Sequence, residues 1–258
     1  MKKDKFTIFG TNPYIEESIA ILKIAANNSK IGGLREKLKQ DILKTPGPGM
    51  RKRTATEILR TYITYDRASG QVQETPLTVF ASLSIQKKSK IDGLYYRFGQ
   101  VHPIVPQVFR MLRAENMDEF SFNELSRLLS TILSREIDKE STGLHTIAYA
   151  LRDFSLVEKI RPGLFRIVEK TLSPEAFIFV LYTHFLSHNT IVPKTADIKR
   201  LFKDLYNQDE SETENILFSA PDGFFNIERN AHLDQVLFFY NNINNFIKKF
   251  IEVYGNRK

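Results

Sequence analysis

The chain has 258 residues, 42% of them hydrophobic, with no cysteine and a formal net charge of +7 at pH 7. A chain of this size and composition buries a full core, which excludes long-range disorder, and the lack of cysteine excludes disulfides, thiolate zinc sites and cysteine nucleophiles. The longest apolar run, residues 176–182, is too short to cross a bilayer, and the first residues do not fit a signal peptide, so we expect a cytoplasmic protein.

Residues 1–113 are predicted to form a basic helical domain. Apolar stripes at helical spacing predict helices near residues 14–26 and 34–43, and prolines and glycines at 46–49 end the second helix. A third helix, near 50–63, opens with three cations, Arg51, Lys52 and Arg53. Cations in a first turn oppose the helix dipole, so this placement is easier to understand if an anion meets them.

The positive charge is concentrated near the start of the chain. Residues 1–60 hold 13 Lys or Arg against 6 Asp or Glu, whereas residues 61–258 hold 24 against 24. A second local excess, at residues 87–113, includes Lys87, Lys88 and Lys90. Clustered cations attract polyanions, and the plain alternative is a solvated face.

The pattern between the third helix and residue 113 is less regular. Residues 64–76 show no periodicity and are predicted to be a loop. Residues 77–85 are apolar, and their spacing alone does not decide between a helix and a strand. Residues 103–112 carry an apolar stripe and are predicted to form a helix.

Residues 114–170 are predicted to form a winged-helix-like domain with a short β-hairpin. Ser121 and Glu124 are a capping-box pair that starts one helix, and a second helix begins near residue 141. Two β-prone runs then flank a Pro-Gly turn, which predicts a hairpin. A helix-turn-helix followed directly by a hairpin is typical of a winged helix. The predicted buried face of the second helix consists of Leu144, Ile147, Ala148 and Leu151.

The outer face of this second helix carries side chains that form hydrogen bonds. They are Ser141, His145, Thr146, Tyr149 and Arg152. A helix that lies in the major groove of DNA needs such groups. Arg161 at the hairpin tip and Arg166 on the return strand are candidate phosphate contacts. Winged helices also serve as protein-interaction modules, and that alternative stays open.

Residues 171–258 are predicted to form a helical C-terminal domain. Two short helices near 195–205 and 209–218, followed by a strand at 224–227, are compatible with a second winged helix. The second of these helices is acidic and would repel phosphate, so we assign it to structure or protein contact. A long helix is predicted over 230–254 and offers a homodimer contact.

Motifs for catalysis or metal binding are absent or weak. The sequence contains no phosphate-binding loop, no dinucleotide-binding glycine motif and no nucleophile elbow. His184 and His188 have the i, i+4 spacing of some zinc ligands, but no glutamate lies between them and no third ligand follows nearby. We therefore expect no metal, no cofactor and no enzymatic activity.

Four segments carry a family resemblance: IEESIAILKIAAN, RKRTATEILRTYI, LHTIAYALRDFSLVEK and LSPEAFIFVLYTHF. With them the chain resembles the small BrxA proteins of bacterial BREX phage-defence systems. The resemblance implies an all-helical DNA-binding protein with winged-helix-like parts that acts beside larger defence proteins. The C-terminal third would be an addition to the usual family length, and no catalytic residue carries over, because none belongs to the pattern.

These patterns predict a mostly α, non-catalytic protein that binds double-stranded DNA. The two cationic clusters favour a nucleic acid in combination with a winged helix. Phosphates would be met by Arg51, Lys52, Arg53, Lys87, Lys88, Lys90, Arg161 and Arg166. Base edges or sugars would be touched by His145, Thr146, Tyr149 and Arg152. The alternatives are a scaffold within a multiprotein complex and an RNA-binding protein.

Overall fold

The computed structural model describes residues 13–26, 30–44, 52–230 and 233–255. Within these ranges it contains twelve helices and five short strands, which confirms the predicted mostly α fold. In the same part of the chain, no helix is long and apolar enough to cross a membrane.

The described part of the N-terminal segment contains five helices: α1 (Ile15–Ala25), α2 (Ile31–Lys44), α3 (Lys52–Tyr62), α4 (Pro76–Ser82) and α5 (Lys87–Val101). α1 packs against α4, and α3 packs against α2 and α5. The undecided stretch at 77–85 begins as a helix because Thr75 caps α4 in a capping box with Thr78, with Pro76 in the first turn.

The next six elements form a central unit: α6 (Ile104–Ala114), β1 (Glu119–Ser121), α7 (Phe122–Leu133), α8 (Thr142–Asp153), β2 (Val157–Arg161) and β3 (Leu164–Ile167). The three helices pack on one another, and the antiparallel sheet has the order β1-β3-β2. The predicted capping box is confirmed, since the Ser121 amide donates to Glu124 over 2.7 Å. The helix pair and the hairpin predicted from the sequence are therefore both present.

A C-terminal unit follows with the same path: α9 (Pro174–Ser187), α10 (Thr195–Tyr206), α11 (Glu210–Ser219), β4 (Phe225–Arg229) and β5 (Asp234–Phe238). β4 and β5 pair antiparallel. On the other side of β5, the Val236 amide donates to Pro193 O and the Phe238 amide donates to Ile191 O, over 2.9 and 3.0 Å. An extended segment before α10 thus lies beside β5, as β1 lies beside β3.

The predicted long helix over 230–254 is wrong. The chain forms β5 first, and the last helix, α12 (Ile243–Tyr254), begins only after Asn242, whose side chain caps it. Val236 and Phe238 are buried on β5 at a spacing of two, because that strand has one face against the core. The predicted homodimer contact depends on that long helix, which the structure does not contain. A homodimer through other surfaces stays a prediction.

A buried ion pair joins the three predicted domains. The ammonium of Lys170 binds Asp92 on α5 and donates to Phe154 O at the end of α8 over 2.7 Å. The Tyr206 hydroxyl of α10 donates to Asp92 O over 2.8 Å. Burial raises the pKa of the Asp92 carboxyl, against the pull of Lys170. One continuous hydrophobic core runs through all three segments. The division of the chain into separate domains therefore stays a prediction.

Candidate nucleic-acid interface

One face of α8 is open to solvent, and the opposite face is buried as predicted. Leu144, Ile147, Ala148 and Leu151 are fully enclosed. His145 and Arg152 are exposed, and Thr146 and Tyr149 are half-buried. Ser141 is a correction, because this N-cap residue is buried rather than part of the outer face.

Tyr149 organises two cations beside α8. Its ring lies edge-on to the buried ring of Phe165 on β3, with 5.9 Å between centroids. The guanidinium of Arg152 lies 4.6 Å from the Tyr149 centroid and the ammonium of Lys159 lies 5.7 Å from it. Such contacts are worth about 0.5–1 kcal/mol at exposed sites. Tyr149 therefore holds a helix cation and a hairpin cation on one surface.

Lys159 is a site residue that the sequence analysis missed. Val157 is buried against the helices, and Lys159 follows it by two positions on β2. Side chains two apart on a strand share a face, so this alternation could have predicted that Lys159 points toward α8.

The hairpin carries an exposed arginine just before its turn. Gly163 has a φ of +78°, a left-handed conformation that favours glycine in the Pro-Gly turn. Arg161 precedes the turn and is exposed, and no carboxylate of the described residues lies within ion-pair distance of it. The ring of His145 on α8 lies against that of Phe122, with 4.0 Å between the ring centroids. Phe122 in turn lies close to Gly163 of the turn.

Arg166 is withdrawn from the predicted contact set. Its guanidinium donates to Glu119 over 2.8 Å and to Glu158 over 3.2 Å. The three residues face one another across β1, β3 and β2. The bonds to Glu119, with a smaller effect of Glu158, raise the pKa of Arg166. This cation is already neutralised within the sheet.

The central unit has no net positive charge. Residues 119–168 hold seven Lys or Arg and seven Asp or Glu. Arg152 itself binds the neighbouring Asp153 over 2.6 Å. Attraction of the unit to a polyanion therefore depends on where its cations lie and not on their number.

The predicted lysine cluster at the start of α5 separates into three different environments. Lys90 is buried and donates to Ala81 O and Leu83 O over 2.7 and 2.6 Å, which excludes it from phosphate contact. Burial, with a smaller effect of Lys23, lowers the pKa of Lys90 to about 8. Lys87 forms an exposed ion pair with Glu16, whereas Lys88 is exposed and has no ion-pair partner among the described residues.

The start of α5 lies near the end of α8. Lys87 and Asp153 line one open groove of about 370 Å³, together with Glu16 and Glu17. The structure thus brings part of the second cationic cluster toward the α8 surface, but it surrounds that part with carboxylates.

The first cationic cluster is only partly described. Arg51 lies outside the described residues. Lys52 and Arg53 belong to the first turn of α3, as predicted, and their side chains also lie outside the description.

The C-terminal unit presents a different surface. Arg229, at the end of β4, binds Glu214 on α11, and Lys199 of α10 binds the same carboxylate over 2.7 Å. Phe218 on α11 is 60% exposed. A phosphate would meet neutralised arginine and acidic side chains here, in agreement with the predicted repulsion.

His184 of α9 is half-buried, and His188, the residue after the helix, is exposed. The Tyr96 hydroxyl and His184 Nδ1 are 3.2 Å apart, and the rings of His184 and His188 lie 4.6 Å apart. Burial, with a smaller effect of His188, lowers the pKa of His184 to about 4. The described residues include no group of three metal-ligating side chains.

Comparison with known proteins finds no matching family model, no curated relative and no similar solved structure. The candidate interface is therefore judged on its geometry alone.

Proposed function

We propose that the chain binds double-stranded DNA through the central unit, which we interpret as a winged helix. One observation carries the proposal: the ring of Tyr149 holds Arg152 of α8 and Lys159 of β2 together beside the polar face of α8. The exposed Arg161 follows Lys159 on the same hairpin. The order of helices and strands and the β1-β3-β2 sheet support the same interpretation.

In this proposal α8 enters the major groove, which is wide enough for one helix. His145 and Thr146 lie on the outer face and would contact base edges. Arg152 and Lys159 would contact one phosphate strand, and Arg161 at the hairpin tip would contact the backbone or the adjacent groove. Phosphate contacts fix position and base contacts give sequence preference.

The electrostatic contribution should be modest. Lys159, Arg161 and Lys88 form no ion pair within the described residues, and Arg152 shares its charge with Asp153. Three to four phosphate contacts give a slope of log K against log salt of about −3 to −4. Lys90 and Arg166, which the sequence analysis assigns to phosphates, no longer count as contacts. The excess of positive charge in residues 1–60 would raise the rate of encounter with DNA.

Fluorescence anisotropy with a labelled random duplex tests the proposal. On the random duplex we expect a dissociation constant in the range of non-specific binding, about 10⁻⁴ to 10⁻⁶ M at physiological salt. The double variant His145→Ala with Thr146→Ala should lose more affinity for a selected DNA sequence than for the random duplex. Arg200→Ala, at an exposed arginine of α10, is the matched control. Competition by single-stranded DNA or RNA that equals duplex competition would contradict duplex recognition.

A protein-interaction scaffold is the second candidate. The equal numbers of positive and negative charges in residues 119–168 and the exposed Phe218 of α11 favour it. It predicts that duplex DNA does not bind and that Phe218→Ser releases a protein partner. Participation in a phage-defence system stands on the resemblance alone and stays a prediction.

A further inference from the structure

A small cavity lies between the N-terminal helices and α9. It has a volume of about 220 Å³, and no residue of α8 or of the β2-β3 hairpin lines it. Tyr62, Tyr96, Leu77 and Phe179 supply apolar or aromatic walls, and Arg97 and Thr183 are among its polar residues. A lining of this kind, mostly apolar with a few polar groups, is typical of small-molecule sites.

Arg97 of α5 is a half-buried cation without a carboxylate. Its Nε donates to Thr61 O over 3.1 Å, and Nη1 reaches Gln100 Oε1 at 3.4 Å. A guanidinium has five N–H donors and stays charged in proteins, so most of its donors are unused here. No Asp or Glu of the described residues lies within ion-pair distance. A buried charge is costly unless an opposite charge compensates it.

Thr183 gives a second and independent observation. Its hydroxyl oxygen is enclosed and forms no hydrogen bond, and the residue lines the same cavity as Arg97. An unmade hydrogen bond of a buried group is destabilising. A half-buried cation without a carboxylate partner and an enclosed hydroxyl without a hydrogen bond therefore line one small space.

We propose that this cavity binds a small organic anion, with Arg97 holding the acidic group, Thr183 donating a hydrogen bond and the aromatic walls covering an apolar body. The acidic group is a carboxylate or a phosphate, which a guanidinium binds in bidentate geometry. The proposal does not depend on DNA binding.

The cavity limits the size of the ligand. A volume of about 220 Å³ is the space of about seven liquid water molecules, below the usual range of drug-sized pockets. One aromatic ring with one acidic group fits this limit, whereas a nucleotide exceeds it.

The competing explanation is that Arg97 only stabilises α3. Thr61 lies in the last turn of that helix, and a cation at a helix C-terminus binds its carbonyls. This explanation accounts for the bond from Nε, but it leaves the hydroxyl of Thr183 unexplained. Binding measurements on the full chain separate the two.

The test uses benzoate and phenyl phosphate as probes, with benzamide as the neutral isostere and inorganic phosphate as the anion without a ring. Ligand-observed NMR and thermal melts are recorded with each compound up to about 10 mM, a range that detects millimolar dissociation constants. We expect at least one aromatic anion to bind and to raise Tm, with benzamide at least about tenfold weaker. The better of the two probes identifies the acidic group as carboxylate or phosphate.

Variants locate the binding. Arg97→Gln should weaken the probe at least about tenfold and Thr183→Val about threefold, which are the losses of a charged and a neutral hydrogen bond. Arg110→Gln, at an exposed arginine of α6 that lines a different groove, should bind as the wild type does. If Arg97→Gln does not fold, Thr183→Val and Arg97→Lys carry the test. Failure of both anions to bind the wild type, or equal binding by the folded cavity variants, overturns the proposal.

Discussion

Glu214 of α11 binds Arg229 of β4, and this pair occupies the positions that His145 and Arg161 occupy in the central unit. Arg161 and Arg229 are each the last residue of the first hairpin strand. His145 and Glu214 each follow the residue that opens a buried i, i+3, i+4 pattern on its helix, Leu144 on α8 and Thr213 on α11. The C-terminal unit therefore has a carboxylate where the central unit has an imidazole, and its hairpin arginine is already bound.

The first prediction is that the C-terminal unit makes no contact with DNA. Arg229→Ala should leave duplex affinity within about twofold of wild type, since an arginine that contacts no phosphate contributes no counterion release. The same substitution leaves Lys199 as the partner of Glu214 and should change stability little, as expected for an exposed pair. Anisotropy and urea denaturation measure the two effects. A loss of affinity equal to that of Arg161→Ala would show that both hairpins bind DNA.

The second prediction concerns Tyr149. Tyr149→Phe retains the ring that holds Arg152 and Lys159, so DNA affinity should stay within about twofold. Tyr149→Ala releases both cations and should weaken binding about five- to thirtyfold, from two contacts of about 0.5–1 kcal/mol each. The comparison is made by duplex titration at one salt concentration. An equal loss in both variants would mean that the hydroxyl, and not the ring, contacts the DNA.

The third prediction separates stability from binding at Lys90. Because its ammonium satisfies Ala81 O and Leu83 O at the end of α4, Lys90→Met should lower the free energy of unfolding by about 2–3 kcal/mol. The salt dependence of DNA binding should not change. Lys88→Met, its exposed neighbour, should show the reverse pattern. Urea midpoints measure the change in stability, and salt titrations measure the change in the salt dependence of DNA binding. A smaller salt slope for Lys90→Met would mean that Lys90 belongs to the interface.

The fourth prediction is a pH dependence at His184. Burial lowers the pKa of His184 to about 4 from its ordinary 6.5, so the folded state disfavours the protonated ring. Between these two pH values the unfolded chain binds more protons, and stability therefore rises with pH. We expect stability to be lost as pH falls from 6.5 toward 4, and His184→Gln should lose less over that window. An identical pH profile for the variant would remove His184 as a cause.

Local patterns in the sequence predicted most of the fold and the outline of the site. The capping pair Ser121 and Glu124 fixes the start of α7, and the spacing of Leu144 to Leu151 fixes which face of α8 is buried. The sequence analysis places residues 234–238 in a helix, whereas they form strand β5. Their apolar spacing suits a helix and a strand alike, and only pairing with β4 decides between the two structures. That pairing is a tertiary contact, which spacing along the chain does not contain.

The environments of the individual cations could not be predicted from the sequence. Lys88 and Lys90 are two positions apart on α5, yet one is exposed and the other is enclosed, because the C-terminal carbonyls of α4 lie against only one of them. Arg166 is neutralised by Glu119, 47 residues away along the chain. Whether a cation is free depends on such long-range partners, which a count of charges along the sequence does not contain.

The salt dependence of duplex binding tests the central claim most directly. Log K is measured against log salt for the wild type and for the variant Lys159→Ala with Arg161→Ala, with Arg200→Ala as control. We predict a slope of about −3 to −4 for the wild type and for the control, and a slope flatter by about 2 units for the double variant, since two phosphate contacts are removed. A wild-type slope near zero, or a double variant with an unchanged slope, would contradict DNA binding by the α8 and hairpin surface.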